Sequence, residues 1–202
     1  MPALVGKSVN TLMADVNPTR FEDLPTYPES KQERHEKVVY AVIETPAKTR
    51  HKYALNPEFG ALELRATLAE GLAWPYDYGF IPQTRGGDGD PLDILFLCDV
   101  PTFPGCLVKA RILGIVHLSK DGQENDRILG CAMRMDGVAQ STDAYDDVDD
   151  LPKAQLQGIC RFLVEYSEEQ GHKIEFKGTS GVKGALKAIE YGRDAFRDKR
   201  RK

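Results

Sequence analysis

Asp88, Asp90 and Asp93 fall within the six-residue string Asp88-Gly89-Asp90-Pro91-Leu92-Asp93. Gly89 and Pro91 enforce a fixed turn, and the apolar run from Leu92 onward anchors its end in a strand. Two carboxylates about 4 Å apart repel by roughly 4 kcal/mol at an effective dielectric of about 20. A loop that gathers three of them needs a cation or a raised pKa to persist. All-oxygen donors suit hard ions, Mg²⁺ above all where a phosphate completes the shell. A solvated acidic turn or a Ca²⁺ loop is the plainer alternative. An EF-hand is excluded, because its sixth position is Asp93 where glycine is required and its twelfth is Asp99 where glutamate is expected.

Other chemistry-bearing types do not assemble into sites along the chain. The four histidines (His35, His51, His117, His172) have no partner at i+4 and no nearby cysteine, which argues against zinc. The four cysteines (Cys98, Cys106, Cys131, Cys160) form no C-x-x-C pair, and a reducing, cytoplasmic setting is expected. Gly178 to Lys183 lacks phosphate-loop spacing. The acidic run Asp143 to Asp150 precedes a helix, where negative charge complements the dipole, so a structural role is expected for it.

The elements that must position the aspartates are mostly short strands. Val38 to Ile43 is β-branched and ends before Pro46. Lys52 to Leu55 and Ala61 to Leu64 read as a hairpin across Asn56 to Gly60. Tyr78 to Ile81, Leu92 to Leu97, Leu107 to Leu118 and Asp126 to Met133 follow. Two helices close the chain. The first opens at Asp150 and ends near Gly171, with Leu156, Ile159, Cys160, Leu163 and Val164 on one face. The second runs from Val182 to Phe196, with Leu186, Ile189 and Phe196 as its apolar side. Strands followed by helices predict an α+β domain: a small closed, OB-like β-barrel with two C-terminal helices packed outside. Residues 1–36, polar and broken by Pro18, Pro25 and Pro28, are expected to form an N-terminal extension. The main domain, expected to carry the aspartate site, is then 37–196, and 197–202 is a basic tail.

The 202 residues suffice for one domain with a full core. A net charge of −4 gives no global field for nucleic acid or an anionic membrane, and no secretory signal or membrane span is expected.

The aspartate string resembles the signature of the soluble (family I) inorganic pyrophosphatases, Asp-x-Asp-Pro-apolar-Asp. The likeness extends over about residues 38–178. Glu44 in Val42 to Pro46, Lys52-Tyr53, Tyr78 in Pro75 to Pro82, and Tyr166 on the first helix all match family segments. Departures stand at Ala54, Ala66, Trp74 and Ser167, and Arg65 lies one residue early for the substrate arginine. Neighbours on a strand face opposite ways, so Arg65 reaches the site only if a bulge redirects it. Two later family aspartates fall, without gaps, on Lys120 and Asn125. One inserted residue moves them to Asp121 and Asp126, the register preferred here because it restores two carboxylates. A polar hairpin tip at Asp121-Gly122 is the alternative.

The resemblance implies hydrolysis of pyrophosphate with several Mg²⁺ ions, Mn²⁺ or Zn²⁺ being able to substitute. Asp88, Asp93 and Asp126 would hold the first metals, and Asp121 and Glu44 would help with others. Asp90 is the candidate general base. Lys52, Tyr78 and Tyr166 would bind phosphate, with Arg65 or Arg127 adding positive charge. A homo-oligomer is the expected assembly. Two other readings stay open: a metal-dependent hydrolase of nucleotides or another phosphoanhydride, and a non-catalytic barrel that binds anions or a partner.

Overall fold

The computed structural model describes residues 20–134 and 139–200. Residues 1–19 of the N-terminal segment and 201–202 of the basic tail lie outside the described residues. A short helix α1 (Lys31–His35), capped by Ser30, leads into strand β1 (Val38–Thr45). Strands β2 (His51–Asn56) and β3 (Ala61–Thr67) form a separate hairpin. The main sheet continues with β4 (Asp77–Phe80), β5 (Asp93–Leu97), β6 (Leu107–Lys120), β7 (Gln123–Glu124) and β8 (Arg127–Ala132). Helix α2 (Lys153–Glu169), strand β9 (Ile174–Gly181) and helix α3 (Val182–Arg200) complete the chain.

The pairings close on themselves. β1 pairs β4, β4 pairs β5, β5 pairs β8 in parallel, β8 pairs β6, and β6 returns to β1. Closure of this five-strand ring removes its open edges. β6 is long enough to carry β7 and β9 as well. Along β5 and β8 the side chains alternate between two apolar clusters. Leu95, Leu97 and Leu129 join one with Ile159, Phe162 and Leu163 of α2. Ile94, Phe96 and Ile128 join the other with Val182, Ala185 and Ile189 of α3. The α+β barrel with two helices packed on it matches the sequence expectation.

Four details differ from the sequence reading. Helix α2 begins at Lys153, after a separate 3₁₀ turn Val148–Asp150. Asp147 from that acidic run accepts from Val182 N at 3.0 Å, and so caps α3 rather than α2. β9 was not anticipated, since its glycines and exposed polar residues hide an edge strand that pairs with β6. Residues 20–30 lie against the barrel: Thr26 is buried and donates to Pro82 O at 2.8 Å, while Tyr40 N donates to Thr26 O at 2.8 Å.

Candidate active site

The aspartate string forms the loop between β4 and β5. Gly89 has φ +89°, a left-handed conformation that Asp88 and Asp90 could adopt only under strain. Gly86 N donates to Asp90 O at 2.7 Å, and Leu92 N donates to Thr84 Oγ1 at 3.0 Å. The Arg85 guanidinium donates to Gly89 O, while Arg85 N donates to Gly192 O at 2.9 Å on α3. The loop is thus clamped from within and tied to a helix, which fixes the direction of its carboxylates.

Asp88, Asp90 and Asp93 line one pocket together with Glu44, Lys52, Arg65, Tyr78 and Arg127. Two irregularities in the strands accomplish this. In the β2–β3 ladder Lys52 pairs with Ala66 and Tyr53 with Leu64, so Arg65 is an extra, bulged residue. The bulge supplies the redirection that Arg65 needs to face the site. In the β1–β4 ladder Ile43 pairs with Gly79 and Thr45 with Tyr78, leaving Glu44 as the bulged residue. Glu44 is buried, and its Oε1 accepts from Leu55 N at 2.6 Å.

The electrostatics follow from this crowding. Burial, joined by the charges of Asp93 and Asp90 and opposed by the Leu55 N–H and Lys52, pushes Glu44 up to about 7. Burial and then the charges of Asp88 and Asp93 hold Asp90 above the usual carboxylate range. The Tyr78 hydroxyl is fully enclosed beside Asp93 and stays protonated, its pKa well above that of an exposed tyrosine because of burial. Arg127 Nη1 pairs with Asp93 Oδ2 at 3.0 Å, and its guanidinium lies 5.9 Å from the Tyr78 ring centre.

Tyr166 is not among the residues lining the pocket. Its ring packs against Trp74 and Phe162, with Lys52 Nζ 5.2 Å above its centre. The contact it offers the site is therefore a platform for Lys52.

The structure divides the second acidic segment between two surroundings. Asp121 and Gly122 both have positive φ, +51° and +84°, and make the tight hairpin turn between β6 and β7. Asp121 points away from the pocket, accepting from Lys173 N at 2.9 Å and lying 2.8 Å from His172 Nδ1. Asp126 is engaged elsewhere too: Oδ1 accepts from Leu118 N at 3.0 Å, and Oδ2 lies 2.7 Å from His117 Nδ1, whose Nε2 is 2.8 Å from Ser180 Oγ. Lys120 and Asn125 line the pocket instead. Asn125 and Asp126 lie between β7 and β8, and Asp126 lines the adjoining cavity, which it shares with Asp88, Asp93 and Asn125. The turn preference of Asp-Gly was the available signal, outweighed by the appeal of two carboxylates. Glu22, from the segment read as an extension, also lines the pocket, with no motif to announce it.

Among the described residues, no three Asp, Glu, His or Cys side chains stand close enough to share a metal ion. Asn125 Nδ2 donates to Asp88 Oδ2 at 3.1 Å, and Arg127 occupies Asp93 Oδ2. The donor set still fits a divalent ion chemically: four carboxylates share one wall, and their mutual repulsion is what a hard cation relieves. Asp88, Asp90, Asp93 and Glu44 are the residues that could hold it.

A strand ring with acids and bases interleaved in one pocket defines a small-barrel site of mixed charge. The family model for inorganic pyrophosphatase matches residues 41–197. An inorganic pyrophosphatase of Haloferax volcanii is 32% identical over 179 residues, 88% of this chain and 96% of the relative. That of Halalkalibacterium halodurans is 33% identical over 157 residues, 76% of this chain and 92% of the relative. Among solved structures, the inorganic pyrophosphatase of Thermus thermophilus has a TM-score of 0.77 at 28% identity, covering 88% of this chain and 99% of that one. The Helicobacter pylori enzyme has a TM-score of 0.74 at 31% identity, covering 80% and 95%. The chain belongs to the inorganic pyrophosphatase family.

Proposed function

We propose that the chain hydrolyses inorganic pyrophosphate to two phosphates with Mg²⁺ held by Asp88, Asp93 and Glu44. The observation that carries this reading is the composition of one pocket, in which five carboxylates face four basic groups and a buried tyrosine hydroxyl. Family membership supports the substrate. A bound divalent ion supplies charge neutralisation and a more acidic water.

The chain's own residues do the rest. Lys52, Arg65 and Arg127 bind the phosphate oxygens, the guanidinium groups in forked geometry and Lys52 as a point charge. Tyr78 donates its enclosed hydroxyl to the leaving phosphate. Asp90, its basicity raised by burial and by Asp88 and Asp93, accepts the proton of the attacking water. Tyr166 holds Lys52 in place from below. Burial against the Trp74 cluster keeps Tyr78 and Arg127 from reorganising during the step.

Phosphate release from pyrophosphate, ATP and a nucleoside diphosphate, each with Mg²⁺ and with chelator, tests this. Pyrophosphate should be hydrolysed far faster than the nucleotides, and only with the ion. Absence of release from pyrophosphate, or full turnover in chelator after carried-over metal is excluded, overturns it.

A further inference from the structure

We infer that the Lys120–Asn125 side of the pocket is built to work without a divalent ion, with the Lys120 ammonium standing in as a fixed positive charge beside the phosphate. This rests on the reading above that the pocket takes a polyphosphate anion together with divalent metal. Lys120 ends β6 and Asn125 follows β7, so the tight turn at Asp121 and Gly122 sets both in the same wall. That wall also holds Asp88, Asp90 and Asp93.

The contacts of Asn125 use both ends of its amide. Nδ2 donates to Asp88 Oδ2 at 3.1 Å, and Oδ1 accepts from Arg127 Nη2 at 2.6 Å. Arg127 Nη1 then reaches Asp93 Oδ2 at 3.0 Å. The chain Asp88–Asn125–Arg127–Asp93 needs a residue that donates at one end and accepts at the other. A carboxylate at 125 could accept from Arg127 but would repel Asp88. The amide therefore joins two aspartates, each through one oxygen, and offers only a dipole to a cation.

Among the described residues the Lys120 ammonium makes no hydrogen bond or salt bridge, although carboxylates share its pocket and the charge of the neighbouring Asp121 acts on it. An ammonium so placed repels a divalent ion on its side of the pocket and attracts a phosphate oxygen. The two residues add no carboxylate to that wall, and Lys120 places one cation beside its aspartates. The consequence is a smaller complement of ions, with Lys120 acting as a substrate-binding residue.

Titration of the metal-free full-length chain with Mn²⁺ alone, followed calorimetrically and by loss of the free-ion EPR signal, tests this without turnover. The double variant Lys120→Asp, Asn125→Asp should bind at least one equivalent more than the wild type. An unchanged number of equivalents overturns the inference. Near-ultraviolet circular dichroism checks that the variant is folded. If it is not, Lys120→Gln carries the test: binding of imidodiphosphate should weaken about tenfold with the Mn²⁺ count unchanged, corresponding to ~1.4 kcal/mol. Unchanged imidodiphosphate affinity there would likewise refute the role of Lys120. The reading of function fails separately, when the wild type binds Mn²⁺ and yet releases no phosphate from pyrophosphate.

Discussion

Glu44 shows how one side chain couples the site to the stability of the fold. Burial and neighbouring carboxylates raise it from an ordinary 4.5 to about 7. Its folded pKa lies above its unfolded value, so the folded state keeps a proton that the unfolded chain releases. The stability this contributes is full below about pH 4.5 and is lost as pH rises through about 7. In chelator, the wild type should therefore lose stability between pH 5 and pH 8 relative to Glu44→Gln. A raise of this size corresponds to about 3 kcal/mol. Glutamine can still accept from Leu55 N, so the variant should fold. Urea unfolding at successive pH values measures the difference, and parallel pH profiles would refute it. Legibility at this scale followed chemistry. Asp88, Asp90, Asp93, Glu44, Lys52 and Tyr78 stood in recognisable strings, and the pocket gathers them. Asp121 sits instead at a hairpin turn beside His172, and Asp126 bonds Leu118 N and His117 at the edge of an adjoining cavity. Tyr166 packs against Trp74 and Phe162 with Lys52 over its ring, next to the pocket rather than in its lining.

At the scale of elements, the site depends on where strands depart from regularity. The bulges at Glu44 and Arg65 each turn a charged side chain toward the same pocket. The sequence named the condition for Arg65 but could not place the extra residue, because a bulge is decided by the partner strand. β9 was illegible for a related reason: its pairing with β6 stabilises a segment whose own residues signal a loop. The β1–β4 contact is the tightest such dependence. A Cβ at Gly79 would lie 2.0 Å from Val42 O and 2.8 Å from Ile43 Cα, both backbone atoms that cannot rotate away. Gly79→Ala should cost at least about 3 kcal/mol, the upper end for overpacked sites. Thermal unfolding of the purified variant measures it. Any folded fraction should also turn over slowly, since Tyr78 and Glu44 flank the displaced contact. A melting temperature equal to that of the wild type would mean that the two strands are not pressed together as described.

Across the whole molecule, the family match begins at residue 41, yet residues 20–30 are bound to the barrel. Pro25 and Pro28 suggested an arm held away from the core, because polar, proline-broken sequence has no period to reveal a face. The structure gives that segment specific anchors. Gln83 N donates to Glu22 O at 3.1 Å, which holds Glu22 at the pocket wall. The Tyr27 hydroxyl donates to Glu190 Oε1 at 2.6 Å, with the Arg193 guanidinium 4.8 Å from its ring centre, so the segment also grips α3. Thr26 is the buried link between them, donating to Pro82 O. Thr26→Val keeps the shape of the side chain but leaves that carbonyl without its hydroxyl donor, a loss of about 1–3 kcal/mol. Tyr27→Phe removes a half-buried bond and should cost about 1 kcal/mol. Both variants should loosen residues 20–36 before the barrel unfolds, because the ring closes without them. Limited trypsin digestion should then cut at Lys31 and Arg34 faster than in the wild type, with the fragment from residue 41 onward resistant. Turnover should fall only modestly, since none of the groups that bind phosphate is altered. Wild-type resistance of Thr26→Val at Lys31 would show that these bonds do not hold the segment to the barrel.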